Sequence, residues 1–506
     1  MKLYSKHLIT FIFLIQFASL FAINPNNLFS NHMVLQQKVK IPVWGTGRNG
    51  ENVKVEFNGK TVTTVVEKNH WHIVLPEMDA GGPHVMKITG NNSVVIKDIY
   101  IGEVWVCSGQ SNMERKMSPH WKYQTISNYE KEKKAANYPL IRQYNVPHKK
   151  SNIPLENTKG EWTVCSPETI ESFSAVGYFF SRDLFEAKKV PIGIILSTVG
   201  GTQAKYWISQ SSLSNKPELE ALVKAYDESI KKFTKKLAAY NSRKKALLVQ
   251  YEHGKKKAKK KGKTQPLNPK PPQDPTKRRF ISCYFNGMIA PLLKYPIAGV
   301  AWYQGESDRD FAKQYQILFP TLISDWRKHW KTDNLPFLFV QIAPFKENNP
   351  EIREAQLLTL QNTENTAMIV TIDCGDATDI HPPLKQPIGY RLSLAARALA
   401  YHENIAYSGP IIDDYSIKND KIEISFKHIY GGLKHKGKTL TGFTIADSSE
   451  NFVPAKAEIK GNKIIVYNKN ITNPVAVRYG WANIPKGNLY NAANLPASPF
   501  RTDIDN

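Results

Sequence analysis

The sequence predicts an α/β fold, a parallel sheet covered by helices and flanked by β regions at both ends. Two observations carry that prediction. Nearly continuous apolar runs at residues 99–107, 191–196, 297–303, 337–342 and 367–372 have the composition of strands buried on both faces. Segments with helical patterning, 177–188, 314–330 and 388–401, alternate with them, and such alternation implies parallel strands joined by crossover helices.

Each element follows in chain order. Lys2 and Lys6 precede an apolar run over residues 8–22, interrupted by Thr10, Gln16 and Ser19, which is the layout of a signal peptide over residues 1–22. That run is shorter than the ~20 apolar residues of a membrane span. The expected product is a secreted or periplasmic protein with no stable membrane insertion after cleavage. Residues 23–97 contain short alternating runs at 40–44, 53–57, 61–66 and 71–75, with Asn58-Gly59 as a hairpin signal, and read as an N-terminal β domain. Residues 98–405 form the α/β domain. Within it, an insertion at about 215–280 begins with a helical pattern over 216–252 and ends in a Lys- and Pro-rich stretch expected to be a solvated loop. Residues 406–506 return to short strands, at 422–426, 442–445, 463–466 and 475–479, and read as a C-terminal β region.

Charge and cysteine content exclude several function classes. The formal net charge is +24, but residues 255–279 hold eleven Lys or Arg against one Asp. The excess is therefore concentrated in one segment, and nucleic acid is not an expected partner. The four cysteines, Cys107, Cys165, Cys283 and Cys374, are widely spaced with no C-x-x-C pairing, so no metal site is expected. Export would permit disulfides, although Cys107 and Cys374 sit at or just after apolar strands, where buried thiols are common.

Four loops, each at the carboxyl end of a predicted strand, hold the residues that could carry chemistry. Catalytic groups of open α/β sheets gather at that edge, where the loops converge. Cys107-Ser108-Gly109-Gln110-Ser111-Asn112-Met113 offers Ser111 as a nucleophile, or else an ordinary helix-capping turn. Ser197-Thr198-Val199-Gly200-Gly201-Thr202 offers paired glycines whose backbone N–H groups could meet an oxyanion. Trp302-Tyr303-Gln304-Gly305-Glu306-Ser307-Asp308 offers a side-chain amide at Gln304 and an acid at Glu306, which could orient a histidine or pair with an arginine. Asp376-Ala377-Thr378-Asp379-Ile380-His381-Pro382 offers His381 as a base, with Asp379 close enough in sequence to hold its tautomer. No phosphate-binding glycine loop and no H-E-x-x-H competes with this set.

With those motifs assembled, the sequence resembles the sialate O-acetylesterase family. Val104 through Met113, Gly200-Gly201-Thr202, Trp302 through Ser307 and Asp379-Ile380-His381-Pro382 match its signature blocks. Further similar segments are Met33-Val34-Leu35-Gln36, Pro42-Val43-Trp44-Gly45, Arg353-Glu354-Ala355-Gln356, Arg478-Tyr479-Gly480-Trp481 and Asn494-Leu495-Pro496, so nearly the whole chain after residue 22 is covered. The resemblance implies an SGNH-hydrolase three-layer α/β/α domain and hydrolysis of O-acetyl esters on sialic acids, with an O-acetylated glycan as substrate and no cofactor. It implies Ser111 as nucleophile, His381 as base, and an oxyanion hole formed by the N–H groups of Ser111 and Gly201 with Gln304.

One position departs from the pattern. SGNH enzymes place the acid three residues before the histidine, and Thr378 stands there. Asp379 is the expected orienting acid, with Glu306 as rival on the precedent of acetylxylan esterases and a Ser-His pair with only a carbonyl partner as a third arrangement. The motifs specify the acetyl group rather than the sugar beneath it, so an acetylxylan or other plant-glycan esterase is the alternative. More distant readings are a catalytically idle glycan-binding protein and a glycosidase using Glu306 with Asp379.

Overall fold

The structure, a computed structural model, describes residues 22–120 and 124–503. The expected signal segment lies outside the described residues except for Ala22. The central sheet is built from β1 (Val34–Gln36), β2 (Ser93–Gly109), β3 (Tyr138–Asn145), β4 (Trp162–Cys165), β5 (Ile192–Thr198), β6 (Gly299–Tyr303), β7 (Phe337–Val340) and β8 (Thr366–Ile369). Its spatial order is β4-β3-β5-β2-β6-β7-β8, parallel throughout except for the antiparallel edge strand β4. The five apolar runs of the sequence are β2, β5, β6, β7 and β8, and every residue of the last four is buried.

Helices cover both faces. The helix α1 (Ser111–Glu114) follows β2 directly. Beyond it come α2 (Ala175–Lys188), α3 (Pro217–Lys260), α4 (Ala312–Trp330), α5 (Pro350–Asn362) and α6 (Gln386–Leu399). Helices α2 and α6 pack on each other through one cluster, with Phe179, Phe180, Ile388 and Leu392 fully buried. The other face is covered by α4, whose Phe319 and Trp326 meet Trp302 of β6 and Phe337 of β7.

The strand β2 runs through Asp98 without a break. Its first half pairs antiparallel with Gly81–Thr89 of the N-terminal β domain, and its second half is the middle of the parallel sheet. Asp98 itself is in the left-handed region, φ +55°, and its carboxylate takes hydrogen bonds from His32 at 2.6 Å and Arg142 at 3.0 Å. The change of character at residue 98 is thus a kink within a shared strand. In the N-terminal domain, Asn58 and Gly59 both have positive φ, as a two-residue hairpin turn requires, joining Asn52–Phe57 to Lys60–Val65.

The insertion differs from expectation. A loop was expected from residue 255, yet α3 continues to Lys260, 44 residues in all, or about 66 Å at 1.5 Å per residue. No proline interrupts residues 218–260, and Ala, Leu, Lys and Glu dominate, so helix propensity holds past Gly254. Pro217 opens it, Glu218 and Glu220 lie in the first turn, and lysines fill the last, matching the helix dipole. Only Leu219, Val223 and Ala258 are buried along it. The proline-rich return runs back along the helix, with the Tyr240 hydroxyl donating to Pro269 O at 3.3 Å. At the base, Tyr226 stacks on Phe280 with ring centroids 5.3 Å apart.

The C-terminal region contains two four-stranded sheets and a two-stranded ribbon. It docks on the α/β domain through buried Arg353, which donates to Ala482 O and Asn483 O, and through the Arg501–Glu354 ion pair at 2.6 Å. All four cysteines are buried and unpaired. No helix among the described residues is long and apolar enough to cross a membrane.

Candidate active site

At the carboxyl edge of the sheet, the loops after β2, β5 and β6 and the loop before α6 surround one cleft. It is lined by Gln110, Ser111, Gly200, Gly201, Gln203, Tyr206, Glu306, Ser307, Arg309, Asp310, Ile380 and His381. The strand β2 must turn sharply to present Ser111. Gly109 makes the turn at φ +129°, and a Cβ there would lie 2.2 Å from Tyr303 O, so only glycine fits. Gln110 N then donates to Tyr303 O at 3.0 Å, fixing the turn against β6.

Ser111 and His381, 270 residues apart, meet in the cleft. The Ser111 hydroxyl and His381 Nε2 are 2.8 Å apart, the separation needed for the imidazole to take the proton. Burial holds the His381 pKa below the usual histidine value, helped by the positive charges of Lys385 and Arg115 and opposed by Asp379. The ring is therefore neutral, and able to accept a proton, at neutral pH.

Asp379 lies beside the ring. Its Oδ1 is 3.7 Å from His381 Nδ1 and accepts the backbone N–H of His381 at 2.7 Å. Thr378 does not face the imidazole, since its hydroxyl donates to Asp376 at 2.8 Å. Asp376 also accepts the N–H groups of Thr378 and Asp379, and those bonds hold its carboxyl down at about 2. Asp376 therefore shapes the loop that carries Asp379 and His381.

Glu306 is buried and reaches a different group. Its Oε1 accepts the Asn112 side-chain amide at 2.6 Å, and the same amide nitrogen donates to Ile380 O at 3.0 Å. Asn112 Oδ1 accepts from Lys385 Nζ at 2.6 Å. Burial raises Glu306 and lowers Lys385 to about 7, each opposed by the other's charge. Glu306 thus bears on the histidine loop through Asn112. Neither Asn112 nor Lys385 was identified from the sequence. Asn112 adjoins Ser111 and could have been suspected, whereas Lys385 carried no signal.

The glycine pair lies against Ser111. A Cβ on Gly200 would approach Ser111 Cβ to 3.4 Å and Glu114 Oε2 to 3.1 Å, and Gly201 is left-handed at φ +64°. The N–H groups of Ser111 and Gly201 have no acceptor among the described residues. Both are therefore available to a ligand in the cleft.

Gln304, expected as a further oxyanion donor, points elsewhere. Its side chain is fully buried, and its amide nitrogen donates to Thr202 O at 2.9 Å and Asp308 Oδ2 at 2.6 Å, which uses both hydrogens. The same Asp308 oxygen accepts Ala204 N at 2.9 Å, and burial lifts the Asp308 carboxyl to about 6. Gln304 and Asp308 together tie the glycine loop to the loop after β6. From behind, Gln356 donates to Gln304 O and Val340 O.

Comparison with known proteins gives the family. The family model described as carbohydrate esterase, sialic acid-specific acetylesterase matches residues 101–265 and 285–392, more than half of the chain. Mouse sialate O-acetylesterase is 29% identical over 94% of this chain and 93% of its own length. The human sialate O-acetylesterase is 27% identical, over 93% and 91% respectively. Among solved structures, a carbohydrate acetylesterase from Xanthomonas citri superposes with a TM-score of 0.81 at 32% identity, covering 96% of this chain and all of that one. With Ser111 and His381 in one cleft and this extent of similarity, the chain belongs to the sialic acid-specific acetylesterase family of carbohydrate esterases, enzymes that hydrolyse carboxylic esters.

Proposed function

We propose that this protein removes O-acetyl groups from sialic acids through an acyl-enzyme on Ser111, with His381 as general base and then general acid. The observation that carries the reading is the 2.8 Å contact between the Ser111 hydroxyl and His381 Nε2 at the floor of an open cleft. His381 Nε2 takes the Ser111 proton as Oγ attacks the acetyl carbonyl carbon. The oxygen of the tetrahedral intermediate receives the N–H groups of Ser111 and Gly201. His381 then returns the proton to the departing sugar oxygen. A water, deprotonated by the same nitrogen, attacks the acyl-enzyme, and as the bond to Ser111 Oγ breaks and acetate leaves, His381 returns that proton to Oγ.

In this reading Asp379 keeps His381 in the tautomer with its proton on Nδ1, as its 3.7 Å position beside that nitrogen supports. Glu306 acts through Asn112 on the backbone just before His381. The reading includes export, supported by the Lys2, Lys6 and apolar 8–22 layout and tested by whether the secreted protein begins near Ile23. Sialic acid as the sugar is supported by the names of the mouse and human relatives. The Xanthomonas citri relative is named only a carbohydrate acetylesterase, which favours a second reading with another acetylated glycan. Acetate release measured in parallel on O-acetylated sialic acids and acetylated xylan separates the two. Higher kcat/KM on the sialic acids is expected, and a preference for xylan overturns the sugar assignment while leaving the chemistry.

A further inference from the structure

The Gly200-Gly201 turn is gripped by a residue from outside the four catalytic loops. Arg279 Nη2 donates to Gly200 O at 2.8 Å and Nη1 donates to Gly201 O. The same guanidinium is near enough to the Tyr284 hydroxyl to oppose the burial that raises that phenol. Arg279 stands where the basic insertion rejoins the domain, next to Phe280, whose ring is stacked on Tyr226 of α3. It falls in residues 266–284, which the family model leaves unmatched.

A trans peptide unit is planar, and its C=O and N–H point in opposite directions. The unit that carries Gly200 O also carries the Gly201 N–H, so a bond that fixes the carbonyl fixes the direction of the donor. A Gly-Gly unit has more rotational freedom than any other pair, and Gly201 already occupies a left-handed conformation. A fork that holds two successive carbonyls removes that freedom. Its positive charge also draws electron density toward Gly200 O, which strengthens the N–H as a donor.

We propose that Arg279 is a positioning residue for the oxyanion hole, holding the Gly200–Gly201 peptide so that the Gly201 N–H faces the tetrahedral intermediate. The inference rests on the assignment of Ser111 and Gly201 above. It links the root of the basic insertion to the chemical step without requiring Arg279 to touch substrate.

The test compares wild type, Arg279→Ala, Arg279→Lys and Ser111→Ala on an aryl acetate, together with inhibition by an aryl boronic acid, whose tetrahedral serine adduct places a hydroxyl in the oxyanion site. Deleting an oxyanion donor outright costs about 10²–10³ in kcat. Misorienting one should cost less, so Arg279→Ala is expected to lower kcat about 10- to 30-fold with KM changed less than about threefold. Boronate affinity should fall by the same factor as kcat/KM, because both report the tetrahedral state. Arg279→Lys should recover only part of the rate, since a single ammonium cannot span two carbonyls. Should Arg279→Ala fail to fold, Arg279→Gln carries the same comparison. Unchanged kcat, a rise in KM alone, or lowered kcat with unchanged boronate affinity each overturns the proposal. Full activity in Ser111→Ala instead overturns the underlying assignment of the nucleophile.

Discussion

The candidate active-site cleft and the basic helical arm are held together by opposite means. In the cleft, Ser111 and His381 are 270 positions apart, and Asn112 bonds to Glu306, Ile380 and Lys385 across 194 to 273 positions. The arm is local. Its 44-residue helix closes on itself, is laced by pairs such as Glu220–Lys224 at 2.9 Å, and buries only three residues. The cleft therefore exists only while the whole sheet is folded, whereas most of the arm depends on its own propensity. Substitutions should accordingly be costly in the cleft in proportion to their nearness to the Ser111–His381 contact, and nearly free along the arm.

The largest effect is expected at Ser111. Ser111→Ala should reduce acetyl-ester turnover by about 10⁴-fold or more in a protein that still folds, because the covalent route is lost while the oxyanion donors remain. Steady-state rates beside an unchanged circular dichroism spectrum test this, and comparable turnover would remove the nucleophile assignment.

Next come the two acids. Neutralising a triad carboxylate bonded to its imidazole costs about 10⁴ in kcat. At 3.7 Å from Nδ1, Asp379 is more loosely placed, so Asp379→Asn is expected to cost roughly 10³-fold. Glu306→Gln should cost less in turnover and more in thermal stability, since it removes the largest of the negative charges that oppose the burial of Lys385. A reversed order of kcat values would make Glu306 the orienting acid.

The pH profile sharpens the role of His381. Only the neutral imidazole accepts the Ser111 proton, so kcat/KM should rise with pH through the histidine pKa and level off above it. Burial and the nearby cations depress that pKa, so the half-maximal point should lie below the ordinary histidine value of 6.5. A midpoint above that value would mean that Asp379 outweighs burial.

The smallest effect is expected from shortening the arm. Replacing residues 231–263 with a short flexible linker removes most of α3 but keeps its buried base, Leu219 and Val223, and the Tyr226–Phe280 stack. Turnover of an aryl acetate should stay within about threefold of wild type. A larger loss would show that the arm, and not only its root at Arg279, supports the cleft.

Much of the fold could be read directly. The five apolar strands and three of the helices fall within a few residues of expectation, because burial on both faces of a sheet leaves a plain mark on composition. The strands β3 and β4 escaped, β3 because Arg142 and Gln143 interrupt its apolar run. Helix α5 escaped too. Its buried positions include Arg353, Glu354 and Gln356, polar residues that serve the C-terminal region and the loop after β6, so its apolar stripe is weak.

The sequence by itself determined the sheet, the strand ends at which chemistry could occur, and the residue types able to perform it, because apolar runs and glycine turns are local properties. Tertiary structure decided what each polar side chain does. It turned Gln304 from the cleft to Thr202 and Asp308, gave Glu306 to Asn112 rather than to the imidazole, and brought Arg279 onto the glycine turn. Hydrogen-bond partners depend on direction and distance to within tenths of an ångström. Those are set only when segments hundreds of residues apart have packed.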